Sequence, residues 1–264
     1  MAVETALVLP EGCLAVFVDD TGHEALVEGH PVYGLGGCAA LARDLDPIIR
    51  TPWRDVRRLV TGSADTQLHA NSFAGFATRE NIETVAEFFR AQPFARVGAI
   101  ISLNTTLADG LGPVPTIAMA LPNRIRDIAR WTPFESLALI FESSQRADRL
   151  IKQTFIGFTI EEDGKPIPVE CYFMRKEFGE PALEVADFVM HAVGRQARQN
   201  LKERGVFVPD FKAVFHTVDR KLASHMELVS VTRNDDNHTE FKDKVILVTG
   251  EAGAIGLAVA RWRT

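Results

Sequence analysis

The sequence predicts an α/β fold in which helices flank a mixed β-sheet. Short apolar runs of strand length alternate along the chain with longer segments in which apolar residues recur every three or four positions. This alternation is typical of proteins in which helices pack on a sheet. Of the 264 residues, 46% are hydrophobic and 24% are charged, a balance that supports a sizeable core.

The first two predicted strands cover residues 14–18 and 31–40. The first strand is an unbroken apolar run. The second strand contains three glycines, Gly34, Gly36 and Gly37. A turn region at 22–31 would join the two strands as an antiparallel hairpin. A helical stretch at 43–60 follows, and two prolines interrupt it.

The middle of the chain predicts further helices and strands. Residues 78–90 form an amphipathic helix that Thr78 can cap. One face of this helix carries Ile82, Val85, Ala86 and Phe89. Residues 94–103 alternate as a strand, residues 115–131 are helical, and residues 137–142 form an apolar strand that ends in a carboxylate.

The last predicted elements are a helix from Ser143 or Ser144 to about residue 155, a strand at 167–174 and a helix at 181–203. The final helix is the longest uninterrupted helical pattern in the chain. Its spacing turns Asp187 toward the apolar side. That side also carries Leu183, Ala186, Met190 and Val193.

Charge and cysteine content narrow the class of protein. The net charge of −6 argues against a protein that coats nucleic acid non-specifically. The three widely separated cysteines show no metal-binding spacing and indicate a reducing compartment. The sequence shows no basic leader segment and no run of about 18 apolar residues. We therefore expect a cytoplasmic protein without a membrane partner, and the oligomeric state stays open.

Acidic residues at the ends of apolar segments are the candidate functional groups of this chain. Asp19 and Asp20 follow the first apolar strand, Glu142 ends another, and Asp187 lies on the late helix. Strand-ending acids are also typical turn formers and helix caps, and Asp187 has a candidate partner in Arg195. If the strand ends lie side by side, Asp19 and Glu142 can share a hard cation, with Asp187 added from the helix. Such a cluster favours metal-dependent phosphodiester hydrolysis.

Short motifs along the chain carry a resemblance to a known family. The segment Val18-Asp19-Asp20-Thr21-Gly22, followed by Tyr33-Gly34-Leu35-Gly36-Gly37, resembles the opening of the domain-of-unknown-function family three thousand eight hundred. Gln67-Leu68-His69-Ala70 and Glu184-Val185-Ala186-Asp187-Phe188 are similar to two later motifs of that family. The resemblance spans roughly residues 13–204.

The resemblance implies a ribonuclease H-like fold whose acids hold Mg²⁺ or Mn²⁺. Asp19 would be the acid of the first strand, Glu142 that of the central strand and Asp187 that of the last helix. Asp20 is a further candidate metal ligand. His69 would assist as an acid/base group or by contacting phosphate, although a loop histidine bonded to the backbone is an equally good interpretation.

Departures from the family pattern support a second hypothesis. Gln67 stands where the family has an acid, which removes a candidate ligand, and Glu184 stands where the family has glutamine. Asp20 for glutamate and Thr21 for serine are milder changes. The alternative function is therefore a non-catalytic ribonuclease H-like module that binds nucleic acid or protein.

Basic residues form several clusters that could line a phosphate-binding surface. These residues are Arg50, Arg54, Arg57, Arg58, Arg146, Arg149, Arg195, Arg198, Lys202 and Arg204. Solvated helix faces are the commoner explanation of such clusters, since acids are interspersed. Trp53 could stack on a base, and a buried anchor is the competing interpretation.

The C-terminal segment stands apart from the rest of the chain. Residues 241–256 are similar to the start of a short-chain dehydrogenase, with Ala254 where that family usually has glycine. We expect a main domain at 1–239, with 240–264 as a truncated tail that adds a strand and a helix rather than an independent domain. A third hypothesis is nucleotide binding through the glycine turn at Thr249–Gly256.

Overall fold

The structure is a computed structural model. It describes residues 7–27, 29–102, 112–115, 117, 121, 125, 133–143, 148–155, 159–162, 165–204, 226–229, 232–233, 239–240 and 245–250. These residues form a mixed sheet with helices on both faces, so the predicted α/β class is confirmed. None of the described helices is both long and apolar enough to cross a membrane.

The strands of the main sheet are β1 (Cys13–Gly22), β2 (Val32–Leu41), β3 (Ala95–Ser102), β4 (Ser136–Glu142), β5 (Thr159–Glu162), β6 (Lys165–Met174), β7 (Met226–Val229) and β10 (Val245–Gly250). They lie in the sheet in the order β5-β6-β4-β1-β2-β3-β10-β7. Two short strands, β8 (Thr232–Arg233) and β9 (Thr239–Glu240), pair separately. β1, β2 and β3 are successively antiparallel, whereas β4 lies parallel to β1, and β6 parallel to β4.

The helices are α1 (Thr51–Thr61), α2 (Ala70–Phe76), α3 (Arg79–Ala91), α4 (Asp148–Phe155) and α5 (Pro181–Arg204). A 3₁₀ turn at Ala42–Asp44 and a π turn at Asp46–Arg50 precede α1. Pro47 and Pro52 therefore lie in the first turns of the π segment and of α1, where the missing proline N–H costs little. The predicted helical stretch at 43–60 is helical throughout but changes helix type.

The α3 helix closely matches its prediction. The Thr78 hydroxyl oxygen accepts a hydrogen bond from the Asn81 amide at 3.2 Å, which caps the helix N-terminus. Val85, Ala86 and Phe89 are buried on the predicted face, while Ile82 is partly buried at its edge. The amphipathic pattern therefore correctly identified the packing surface of this helix.

The alternation of side chains along β1 divides the protein into two cores. Cys13, Ala15 and Phe17 pack in a first core beneath α1, α3 and α5. Leu14, Val16 and Val18 pack in a second core on the opposite face, together with α4. Because the period of a strand is two residues, the facing direction of the later residues of β1 follows from this pattern.

Glycines in β2 let α5 lie very close to the sheet. A Cβ atom on Gly37 would lie 2.4 Å from the Ala186 Cβ and 2.3 Å from the Phe17 carbonyl oxygen. A Cβ atom on Gly36 would lie 2.9 Å from the Met190 sulfur. The glycine-bearing second strand is therefore the surface on which the long helix packs.

Several predicted boundaries differ from the structure. β1 continues to Gly22 rather than ending at Val18, so the two aspartates lie within the strand. Of the predicted helix at 115–131, only residues 115, 117, 121 and 125 are described, and they are helical. In the tail, β10 pairs antiparallel with β3, whereas residues 251–264 lie outside the described residues.

Candidate functional site

Asp19 and Glu142 lie side by side at one end of the sheet. The parallel register pairs Phe17 with Ile140 and Val18 with Phe141, so the next positions on the two strands are these carboxylates. Phe17 and Ile140 belong to the first core. Since every second residue shares a face, Asp19 and Glu142 also face the side of the sheet that α5 covers.

Asp187 reaches the same region from α5. Its Oδ2 accepts a hydrogen bond from the Ala70 amide at 2.9 Å, at the start of α2. The Nδ1 of His69 lies 3.9 Å from the same oxygen. The Asp187 side chain is 25% exposed, so it is accessible from solvent. The predicted partner Arg195 is not needed to explain its burial, because the α2 N-terminus supplies a hydrogen-bond donor.

The carboxylates influence one another electrostatically. Burial raises the pKa of Asp19 well above its ordinary value, and the charges of Asp187, Asp20 and Glu142 raise it further. Burial also raises the pKa of Asp187, against the opposing effects of the Ala70 hydrogen bond and of His69. The site therefore brings several carboxylates together where water is partly excluded, and binding of a cation would offset the cost of burying their charges.

Asp20 lies on the other face of the sheet from Asp19. A Cβ atom on Gly194 of α5 would lie 2.1 Å from the Thr21 hydroxyl oxygen, so Thr21 points toward α5. The alternation along β1 then directs Asp19 toward α5 and Asp20 away from it. Asp20 contributes charge to the cluster, as the pKa of Asp19 shows, but it faces a different side.

Lys176 is a member of the site that the sequence did not reveal. Its Nζ lies 3.5 Å from the Glu142 Oε1, and its charge lowers the pKa of Asp187. It begins the 3₁₀ turn Lys176–Phe178 after β6, and the pairing of Glu142 with Met174 brings this turn next to the acid. The proximity of Lys176 to Glu142 could have been inferred only from knowing that β4 and β6 are neighbours in the sheet.

Glu184 holds the segment that carries His69. Its carboxylate accepts hydrogen bonds from Trp53 Nε1 at 2.8 Å, Arg57 Nη2 at 2.7 Å, Arg57 Nε at 3.0 Å and the Leu68 amide at 3.1 Å. Glu184 and Asp187, three residues apart on α5, thus bind the alternate amides of Leu68 and Ala70. Glu184 is therefore a buried structural group, and its oxygens are committed to these donors.

Arg57 lies neither on a phosphate-binding surface nor on a solvated helix face, because its side chain is only 4% exposed and is paired with Glu184. Arg50 donates to Glu180 at 2.9 Å, and Arg58 donates to Asp55 at 2.8 Å. Trp53 is fully buried among phenylalanine rings and is an anchor rather than a stacking platform. Burial of the α1 face explains this outcome, because Trp53 and Arg57 are one helical turn apart.

Gln67 takes part in positioning the Lys176 turn. Its side-chain Nε2 donates to the Lys176 carbonyl oxygen at 3.1 Å. A carboxylate could not donate in this contact. The Gln67 side chain therefore has a local structural role in this chain.

The donor chemistry of the site fits a hard divalent cation. Asp19, Glu142 and Asp187 offer carboxylate oxygens, the ligands that Mg²⁺ and Mn²⁺ prefer. Among the described residues, no group of three or more histidine, cysteine, aspartate or glutamate side chains is arranged to hold a metal ion. Mg²⁺ commonly uses one or two carboxylates with waters and substrate phosphates, so a preassembled cage is not required.

Comparison with known proteins adds no assignment to this geometry. No protein-family model, no curated protein and no solved structure matches the chain.

Proposed function

We propose that this chain is a ribonuclease H-like, divalent-metal-dependent phosphodiester hydrolase of the nuclease type. The observation that carries the proposal is that Asp19 and Glu142 lie on adjacent strands at one end of the sheet, where burial, together with the charges of both Asp187 and Glu142, raises the pKa of Asp19. The antiparallel β1–β2–β3 unit with β4 and β6 added in parallel supports the proposed fold, as does the mixed sheet between two helical layers.

In this proposal Asp19 and Asp187 hold Mg²⁺ or Mn²⁺, and Glu142 completes the ligand set. A bound ion would activate water and stabilise the leaving oxygen of a phosphodiester. His69 lies beside Asp187 and could accept or deliver a proton at its imidazole. Glu184 and Asp187 fix the backbone on either side of His69, which orients this residue toward the acids.

A second candidate is a non-catalytic binding module of the same fold. The contact between Lys176 and Glu142 favours it, because a protein cation then partly neutralises the acids. The Gln67 contact favours it as well, since it fixes the turn that carries Lys176. The third hypothesis concerns the glycine turn at Thr249–Gly256, and residues 251–256 lie outside the described residues.

Hydrolysis assays separate the two candidates. The purified chain is incubated with bis(p-nitrophenyl) phosphate and with labelled single-stranded and double-stranded DNA and RNA, in Mn²⁺ and in EDTA. The hydrolase proposal predicts cleavage in Mn²⁺ only, with loss in Asp19→Asn and Asp187→Asn. Asp55→Asn is the matched control, since Asp55 is exposed on α1 and pairs with Arg58. Equal activity in all variants would contradict the proposal, and absence of cleavage by the wild type would favour the binding module.

A further inference from the structure

A rigid turn with exposed basic and aromatic side chains borders the carboxylate cluster. It consists of Arg175, Lys176, Glu177 and Phe178, and we call it the 175–178 turn. All four residues are exposed, and Phe178 is 48% exposed. Lys176 connects the turn to the site through Glu142.

The backbone of this turn is held from several directions. The Phe178 amide donates to the Arg175 carbonyl at 3.1 Å, and the Gly179 amide donates to the Lys176 carbonyl at 3.0 Å. From outside, Gln67 donates to the Lys176 carbonyl. The buried Arg57 donates through Nη2 to the Gly179 carbonyl at 2.7 Å. The side chains of the turn are therefore presented to solvent from a fixed backbone.

Gly179 makes this anchoring possible. Its φ of 61° lies in the left-handed region that favours glycine. A Cβ atom there would also lie 2.9 Å from the Gln67 Nε2. The backbone of this exposed turn is therefore fixed by the left-handed conformation of Gly179 and by the hydrogen bonds from Arg57 and Gln67.

We propose that the 175–178 turn binds the single-stranded nucleic acid on which the candidate site acts, with Lys176 and Arg175 contacting phosphates and Phe178 stacking on a base. This inference rests on the proposed function, because the turn lies next to the acids that would bind the metal ion. Exposed aromatic rings combined with cationic side chains are the recurring means of binding single strands without sequence preference. A duplex hides its base faces, so a stacking ring favours the single strand.

Fluorescence anisotropy with a labelled oligothymidylate in EDTA tests the turn without any requirement for turnover. Phe178→Ala and Lys176→Ala are expected to weaken binding about tenfold each, since a stacked base and a phosphate contact are lost. Phe178→Trp, which keeps an aromatic face, is expected to retain binding. Lys165→Ala is the matched control, because Lys165 is exposed at the opposite end of β6.

The outcomes distinguish this inference from the proposed function. Unchanged affinity in Phe178→Ala, or equal affinity of the wild type for a duplex of the same length, would overturn the inference even if Mn²⁺-dependent hydrolysis is found. Weakened affinity in both turn variants, with normal binding by Lys165→Ala, would support it even if the wild type hydrolyses nothing. Circular dichroism spectra that match the wild type would show that the variants are folded.

Discussion

Arg57 and Glu184 form a salt bridge of 2.7 Å in which the two side chains are only 4% and 6% exposed. The pair joins α1 to α5, and the remaining bonds of Glu184 extend it to Trp53 and to the Leu68 amide. Each charge is thus compensated and hydrogen-bonded, as a buried ion pair requires. The pair fixes the backbone that leads to His69 and, through Gly179, the turn that carries Lys176.

Removal of one member of this pair is expected to be strongly destabilising. Glu184→Ala leaves the Arg57 guanidinium buried without its partner, and we expect the free energy of unfolding to fall by about 3–5 kcal/mol. Equilibrium unfolding in urea measures the difference. Asp55→Asn, which removes the partner of the exposed Arg58, should change it by less than about 1 kcal/mol. A loss in Glu184→Ala no larger than in this control would contradict the assigned role.

Close packing of α5 on β2 gives a second prediction. Gly37→Ala would place a Cβ atom against Phe17 and Ala186, and overpacking of this kind costs about 1–3 kcal/mol or more. Gly75→Ala is the control. Nothing lies within 4 Å of a Cβ atom at Gly75, and alanine there is expected to stabilise α2 by about 0.5–1 kcal/mol. Thermal unfolding should move in opposite directions for the two variants, and equal shifts would refute the packing argument.

The raised pKa of Asp19 predicts a pH dependence of stability in EDTA. The folded state holds the Asp19 proton more tightly than the unfolded chain, so this group lowers stability as pH rises from its ordinary pKa of 3.8 through the raised value. Asp19→Asn lacks this effect. We therefore expect Asp19→Asn to have a higher melting temperature than the wild type at pH 7, by about 2–4 °C for each kcal/mol of difference in the free energy of unfolding. The two melting temperatures should converge near pH 3.

Mn²⁺ provides the control for the pH experiment. If the acids bind the ion, Mn²⁺ should raise the melting temperature of the wild type and leave that of Asp19→Asn nearly unchanged, because binding to the folded state alone is stabilising. A wild type that is more stable than Asp19→Asn in EDTA at pH 7 would contradict this prediction, because it would show that neighbouring groups of the protein stabilise the charged Asp19 carboxylate.

The sequence predicted the elements that local patterns determine. The apolar runs of β1 and β4 and the periodicity of α3 and α5 placed the strands and helices within a few residues. Asp19, Glu142 and Asp187 could be identified because each interrupts an apolar pattern. The proximity of Asp19 to Glu142 depends on β1 and β4 being parallel neighbours, which no local pattern specifies.

Other features of the site depend on contacts between distant parts of the chain. The bond between Arg57 and Glu184 joins residues 127 positions apart, so an arginine in a basic cluster could not be recognised as buried from charge alone. Its spacing from Trp53 was the available signal, since both lie on one helical face. Lys176 follows a strand whose neighbour supplies Glu142, and strand order must be known before that proximity is apparent.

Calorimetric titration with Mn²⁺ most directly tests whether the carboxylates form one metal site. The wild type, Asp19→Asn, Asp187→Asn and the exposed control Asp55→Asn are titrated under the same conditions. The proposal predicts micromolar binding by the wild type and the control, weakened by about tenfold or more in both site variants. Binding of Mn²⁺ with equal affinity in all four proteins would contradict a shared metal site at Asp19 and Asp187.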